Sequence, residues 1–65
     1  MTITLWRNSE VSSAVSLIYL GDDVVLETDG LGNPKPHYFD STPAAKEFII
    51  TQAYALLSLG YEVHG

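Results

Sequence analysis

The feature of the sequence that most limits its fold is a single change of character near Asp40. Before it, β-branched residues, glycines and prolines are frequent, whereas residues 44–59 contain neither glycine nor proline. Glycine and proline interrupt regular structure, and β-branched residues favour strands. This order predicts strands first and one helix last, in a chain whose 65 residues have room for a single domain, 1–65.

The first part of the chain is expected to form about four strands. Apolar and polar residues alternate at its start, and Gly21 separates two β-rich runs at a predicted tight hairpin turn. Pro34 and Pro36 each lack a backbone donor, so the last strand is expected to start only near His37. The predicted strands cover residues 2–7, 15–20, 24–28 and 37–39, the last three forming an antiparallel meander.

A helix is predicted from Pro43, with Thr42 as its capping residue and Gly60 as a left-handed stop. Apolar residues recur at three- and four-residue steps along it, which is typical of a helix that packs on a sheet. The fold class is therefore α+β: a small antiparallel sheet with one C-terminal α-helix packed across one face. The side chains expected to face the sheet are Ala45, Phe48, Ile49, Gln52, Leu56 and Leu59.

The same helix carries a second apolar stripe where charges would be expected, and its only charged residues are Lys46 and Glu47. A domain of this size buries about 60% of its unfolded surface, so one side of its only helix should face water. The stripe predicts contact with a protein partner or with a second copy in a homodimer. The alternative is a sheet that curls around the helix and leaves only the hydroxyl of Tyr54 wet. The residues of the stripe are Ile50, Ala53, Tyr54 and Leu57.

Several local patterns between Val24 and Tyr61 resemble the WGR domain. The sequence Tyr-Phe-Asp-Ser at residues 38–41 is similar to that family's last strand and helix start, and Gly60-Tyr61 to its helix ending. Ala44 and Phe48 match the small and aromatic positions of the family's helix. The resemblance implies the same sheet-and-helix fold and, for the family, weak nucleic-acid binding or contact with a neighbouring domain.

The residues that give the WGR family its name are absent at the matching turn. Residues 28–32, Thr-Asp-Gly-Leu-Gly, stand where the family has Trp-Gly-Arg-Ile-Gly. The stacking ring and the guanidinium are thus replaced by Thr28 and Gly30, beside the carboxylates of Glu27 and Asp29. Trp6-Arg7 lies in the first predicted strand and not in a turn. The chain resembles a degenerate WGR domain, for which nucleic-acid binding is the least favoured of the functions considered.

Acidic side chains outnumber basic ones by 8 to 3, giving a net charge of −5, which opposes binding to nucleic acid or anionic lipid. Four of them follow one predicted hairpin, and we name this set the acidic ribbon. One explanation is that they keep sheet edges apart. The alternative function is phosphate mimicry by an acidic inhibitor of a nucleic-acid-binding protein, of the mobile-element or anti-defence type. The acidic ribbon comprises Asp22, Asp23, Glu27 and Asp29.

Other functional classes find little support in the sequence. The chain has no cysteine, no Gly-x-Ser-x-Gly elbow and no complete dinucleotide fingerprint, so we expect no enzyme activity, no cofactor and no small-molecule substrate. His37 and His64 lack the spacing of a metal site, and His64 is expected in a frayed C-terminus. No signal peptide or membrane span is evident, which predicts a cytoplasmic protein. The leading hypothesis is a non-enzymatic protein-interaction module.

Overall fold

The computed structural model describes residues 1–8 and 10–64, and it confirms the α+β class. The elements are β1 Thr2–Arg7, β2 Glu10–Gly21, β3 Val24–Thr28, β4 Pro34–Tyr38, α1 Thr42–Ser58 and β5 Glu62–Val63. Within the described residues the strands form one antiparallel sheet in the order β4-β3-β2-β1-β5. The helix lies across one face of this sheet, in contact with β1, β2, β3 and β5.

The predicted hairpin joins β2 to β3, and its glycine has the expected left-handed backbone. Gly21 has φ +90°, while Asp22 and Asp23 have φ +52° and +61°. Positive φ at both central residues is the type I′ geometry, which matches the twist of paired strands. β2 is longer than predicted, because it begins at Glu10 and not at Val15.

The prediction that the fourth strand starts only near His37 is wrong, because β4 begins at Pro34. Pro36 pairs with Leu26, and Pro34 pairs with Thr28. β4 is an edge strand, and prolines two residues apart have their missing donors on the same, open side of it. Such an edge cannot pair fully with another strand, which protects the sheet from edge-to-edge association.

The sequence indicated Thr42 as the N-terminal cap of the helix, but the cap is Ser41. The Ser41 hydroxyl accepts a hydrogen bond from the Ala44 amide at 3.2 Å. Thr42 is the first helical residue, and its hydroxyl donates to Asp23 Oδ1 at 2.7 Å. This bond ties the start of the helix to the turn between β2 and β3.

The predicted stop at Gly60 is confirmed by a complete Schellman motif. Gly60 has φ +91°, and its amide donates to the Leu57 carbonyl at 3.1 Å. The Tyr61 amide donates to the Leu56 carbonyl, also at 3.1 Å. The chain thereby reverses, and β5 follows at once beside β1.

The sequence did not predict β5, and the expectation of a frayed C-terminus at His64 is wrong. Leu5 pairs with Val63, and Trp6 pairs with Glu62. The His64 amide donates to the Thr4 carbonyl at 2.7 Å. The last described residues are therefore held on the sheet.

The core lies between the helix and the sheet. Leu17 and Val25 are fully buried on the sheet side and cluster with Ala45 and Ile49 of the helix, and Leu5 of β1 is fully buried as well. Four half-buried side chains pack around this cluster: Ile3, Tyr19, Phe39 and Phe48.

One side chain predicted for the core is not in it. Leu59 is 62% exposed, because the helix ends at Ser58 and Leu59 is its C-cap. Among the described residues, no helix combines the length and the apolar character needed to cross a membrane.

Candidate functional site

An open apolar groove runs between α1 and the first strand, and we name it the helix groove. Its volume is about 260 Å³. Ile50, Tyr54 and Leu57 recur at helical spacing on one side of α1, and Ile3 of β1 completes the wall. Ala53 lies at the floor. The lining residues are Ile3, Ile50, Ala53, Tyr54 and Leu57.

Three of the four side chains of the predicted stripe are exposed. Tyr54 is 69% exposed, Ile50 50% and Leu57 41%. Ala53 is 9% exposed and belongs to the buried core cluster, so its placement on an outward stripe is wrong. Ala53 lies at the boundary of the two surfaces and contacts both the core and the groove. The sheet covers the opposite side of the helix and leaves the groove open.

The rim of the helix groove has little charge. Lys46 and Glu47 precede Ile50 by one turn, and Lys46 Nζ lies 5.9 Å from the ring centroid of Tyr19. No acidic or basic side chain lines the groove itself in the described part of the chain. An apolar side chain of another molecule could therefore enter it without desolvating a charge.

The acidic ribbon is spread along the whole length of β3. Asp22 and Asp23 lie at one end of this strand, and Asp29 lies beyond the other. Asp23 accepts the hydrogen bond from Thr42, and Glu27 Oε1 lies 3.0 Å from Nε2 of His37. These two carboxylates thus have partners within the fold.

Asp29 organises the turn between β3 and β4. Its Oδ1 accepts hydrogen bonds from the amides of Leu31 at 2.9 Å and Asn33 at 3.1 Å. The Asn33 and Leu31 amides lower the pKa of Asp29 below the ordinary value of 3.8. Glu27, Asp29 and Lys35 line the same hollow of about 140 Å³, which places one lysine beside two carboxylates.

Residue 30, where the WGR signature has arginine, is packed against the start of β2. A Cβ atom on Gly30 would overlap the backbone carbonyl of Ser12. The fold therefore has no space for a side chain at this position. Arg7, as expected, lies in β1; its guanidinium is 5.4 Å from the ring centroid of Tyr61 and donates to the Leu59 carbonyl at 3.4 Å.

The two histidines lie apart, each against an aromatic ring. His37 is 4.6 Å from Phe48, and His64 is stacked on Trp6 at 3.8 Å, measured between ring centroids. Among residues 1–8 and 10–64, no cluster of three or more His, Cys, Asp or Glu side chains could hold a metal ion.

Sequence reasoning missed a second surface, the face of the sheet opposite the helix, which we name the outer sheet face. Leu5, Leu17 and Val25 point to the helix. The residues next to each of them along the same strand therefore point away from the helix. Paired residues of neighbouring strands share a face, which extends this assignment across the sheet. The period-two pattern of the strands could have revealed these residues, but only with the register known. The outer sheet face comprises Thr2, Thr4, Trp6, Ser16, Ile18, Val24, Leu26, Thr28, Pro34, Pro36, Tyr38, Glu62 and His64.

Comparison of the chain with protein-family models, with curated proteins and with solved structures gave no match.

Proposed function

We propose that this chain is a non-enzymatic protein-interaction module that binds another protein chain through the helix groove. A single observation carries this proposal: Ile50, Tyr54 and Leu57 are 41–69% exposed on one side of a helix whose opposite side already packs on the sheet. Exposed apolar side chains gathered in a concave surface are typical of protein-binding sites.

The three exposed side chains of the helix groove supply only part of the energy that a moderate contact needs. About half of each of the three exposed side chains remains to be covered, which contributes roughly 3–5 kcal/mol before the entropy of association. A micromolar complex requires about 8 kcal/mol. Contacts outside these three side chains must supply the rest and also offset the entropy of association.

A groove of this shape favours an apolar helix or extended segment as the bound element. Helix-in-groove recognition uses anchors spaced at three and four residues. The phenol of Tyr54 offers both an apolar ring and a hydroxyl, a combination enriched at the centres of interfaces. Tyr54 is therefore the anchor from which the proposal is best tested.

The acidic ribbon is the weaker candidate for a partner-binding surface. Asp23, Glu27 and Asp29 each make hydrogen bonds or close polar contacts within the fold, so their carboxylates have structural roles that need no partner. Phosphate mimicry by an acidic inhibitor would require these same carboxylates to contact a basic surface on the partner. Kinship with the WGR family is likewise a proposal, supported by the sheet with a helix across one face and by the Gly60-Tyr61 ending.

The test is affinity capture with the wild type, Tyr54→Glu and Ala55→Glu, followed by calorimetry with any purified partner. Ala55 is exposed on another side of α1, so Ala55→Glu adds the same charge outside the groove. We expect a partner that the wild type and Ala55→Glu bind alike and that Tyr54→Glu binds at least about tenfold more weakly. A partner lost equally from both variants, or no binding to any chain including a second copy, would refute the proposal.

A further inference from the structure

We infer that the outer sheet face packs against the same face of a second copy, forming a symmetric dimer with sheet against sheet. This inference does not depend on the helix groove, which lies on the opposite side of the molecule. It rests on the composition, the area and the hydrogen bonding of the outer sheet face.

The outer sheet face has almost no charge in a strongly acidic protein. Its central row runs across four strands as Thr2, Ile18, Leu26 and Pro36. Among the described residues of this face, Glu62 is the only Asp, Glu, Lys or Arg, although the chain has a net charge of −5. Two-layer folds normally place charges on a solvated sheet face, so their absence here indicates a covered surface.

Self-packing is the arrangement that suits such a face. Glu62 lies in β5, at one edge of the sheet, so a two-fold axis that runs along the central strand β2 places each β5 over the partner's β4 and keeps the two Glu62 carboxylates apart. Of the other acidic residues, Glu10 stands at the start of β2 opposite Arg7, and the rest lie in turns, on the helix or on the covered face. Two copies can therefore approach with little like-charge repulsion despite their net charge.

The size of the face is close to what a dimer needs. Five strands spaced by about 4.8 Å and about five residues long give a projected area of roughly 400 Å². Protruding side chains make the accessible area larger than the projection; Tyr38, for example, is 76% exposed. Specific interfaces bury at least about 600 Å² per partner, so the protruding side chains and the strand ends must add to the projected area in the dimer.

Part of the polar surface of this face is already satisfied within the chain. Thr4 Oγ1 and Ser16 Oγ are hydrogen-bonded to each other at 3.0 Å. The imidazole of His64 lies on the indole of Trp6 and covers part of it. In the dimer, the sheets would lie about 10 Å apart with strands at about −30°, and both helices would stay outside with their grooves accessible.

The experiment is sedimentation velocity over a series of concentrations, from low micromolar to submillimolar. The variants are Ile18→Lys in the centre of the outer sheet face, Tyr54→Glu in the helix groove and Ala55→Lys as a charge control on the exposed helix surface. We expect the wild type, Tyr54→Glu and Ala55→Lys to dimerise alike, and Ile18→Lys to dimerise about tenfold more weakly or not at all.

A second measurement keeps the test informative if Ile18→Lys does not fold, as judged by circular dichroism. The chain has no cysteine, so Ser16→Cys and Ala55→Cys each introduce a single thiol. A short bismaleimide should link two copies of Ser16→Cys and not of Ala55→Cys. The inference is wrong if the wild type stays monomeric, or if Ser16→Cys does not cross-link. A dimer broken by Tyr54→Glu instead would overturn it while supporting the helix groove.

Discussion

The imidazole of His64 stacks on the indole of Trp6, with ring centroids 3.8 Å apart and planes inclined by 29°. This contact joins the end of the described chain to the first strand, 58 positions earlier by their numbers. β5 itself contains only Glu62 and Val63, so its two residues alone provide little pairing. The aromatic stack therefore makes an important contribution to the fifth strand.

Replacing His64 by alanine should loosen this strand. We expect His64→Ala to lower the free energy of unfolding by about 0.5–1.5 kcal/mol, the range for aromatic pairs. Urea denaturation followed by circular dichroism measures the loss. His64→Phe keeps a ring at the same place and should retain most of the stability. Equal losses in the two variants would show that stacking is not what holds the strand.

Gly30 should tolerate no side chain, for a steric reason. A Cβ at this position would overlap the Ser12 carbonyl, so Gly30→Ala must displace backbone and is expected to cost at least about 2 kcal/mol. Gly32 is the matched control, since it has φ +80° and open space around its Cα. Gly32→Ala should cost about 1 kcal/mol, from backbone strain alone. The reverse ranking in chemical denaturation would contradict the packing described at Gly30.

The two hydroxyls at the start of the helix should contribute in different ways. Ser41→Ala removes the bond to the Ala44 amide and is expected to cost about 0.5–2 kcal/mol. Ser41→Asp restores an acceptor and should recover most of this loss. Thr42→Ser keeps the hydroxyl that donates to Asp23 and should change stability little. If Ser41→Ala is neutral while Thr42→Ala is not, the cap has been assigned to the wrong residue.

Asp29 should make the stability depend on pH in the acid range. Its pKa in the folded protein is lowered by the Asn33 and Leu31 amides, so the unfolded chain takes up the proton first as pH falls. The stabilisation is complete above the unfolded value of 3.8 and is lost as pH falls through the lower folded pKa. Asp29→Asn should thus be less stable than the wild type near neutral pH, with a smaller difference in strong acid. A difference that does not change with pH would contradict this assignment.

Local patterns predicted the elements of this fold well where each element has its own signal. The Gly21 hairpin and the Gly60 stop depend on single residues whose backbone geometry few others can adopt. The cap was assigned wrongly because Ser41 and Thr42 both carry a hydroxyl, and only the helix geometry selects between them. β5 has two residues and no local signal, since it exists through pairing with β1.

The candidate surfaces were predictable only in part. Helical periodicity placed Ile50, Tyr54 and Leu57 on a common side, but only the packing of the helix on the sheet decides that Ala53 is buried. Pro34 and Pro36 indicated that no strand begins before His37. A strand accepts such prolines only at the edge of a sheet, and the sequence alone does not show that β4 lies at an edge. The outer sheet face depends on the pairing register of the strands. This register brings residues that are distant in sequence, such as Thr2 and Leu26, into one row.

The most direct test of the account measures the solvent exposure of methyl groups in the dilute protein, with a soluble paramagnetic agent and methyl NMR. The helix groove predicts strong relaxation enhancement for the methyls of Ile50 and Leu57, with Ile49 as the buried reference from the same helix. It also predicts that this enhancement falls when a bound protein chain covers the groove. If Ile50 and Leu57 are already as protected as Ile49 in the free monomer, the helix has no open apolar side and the proposed interaction site does not exist.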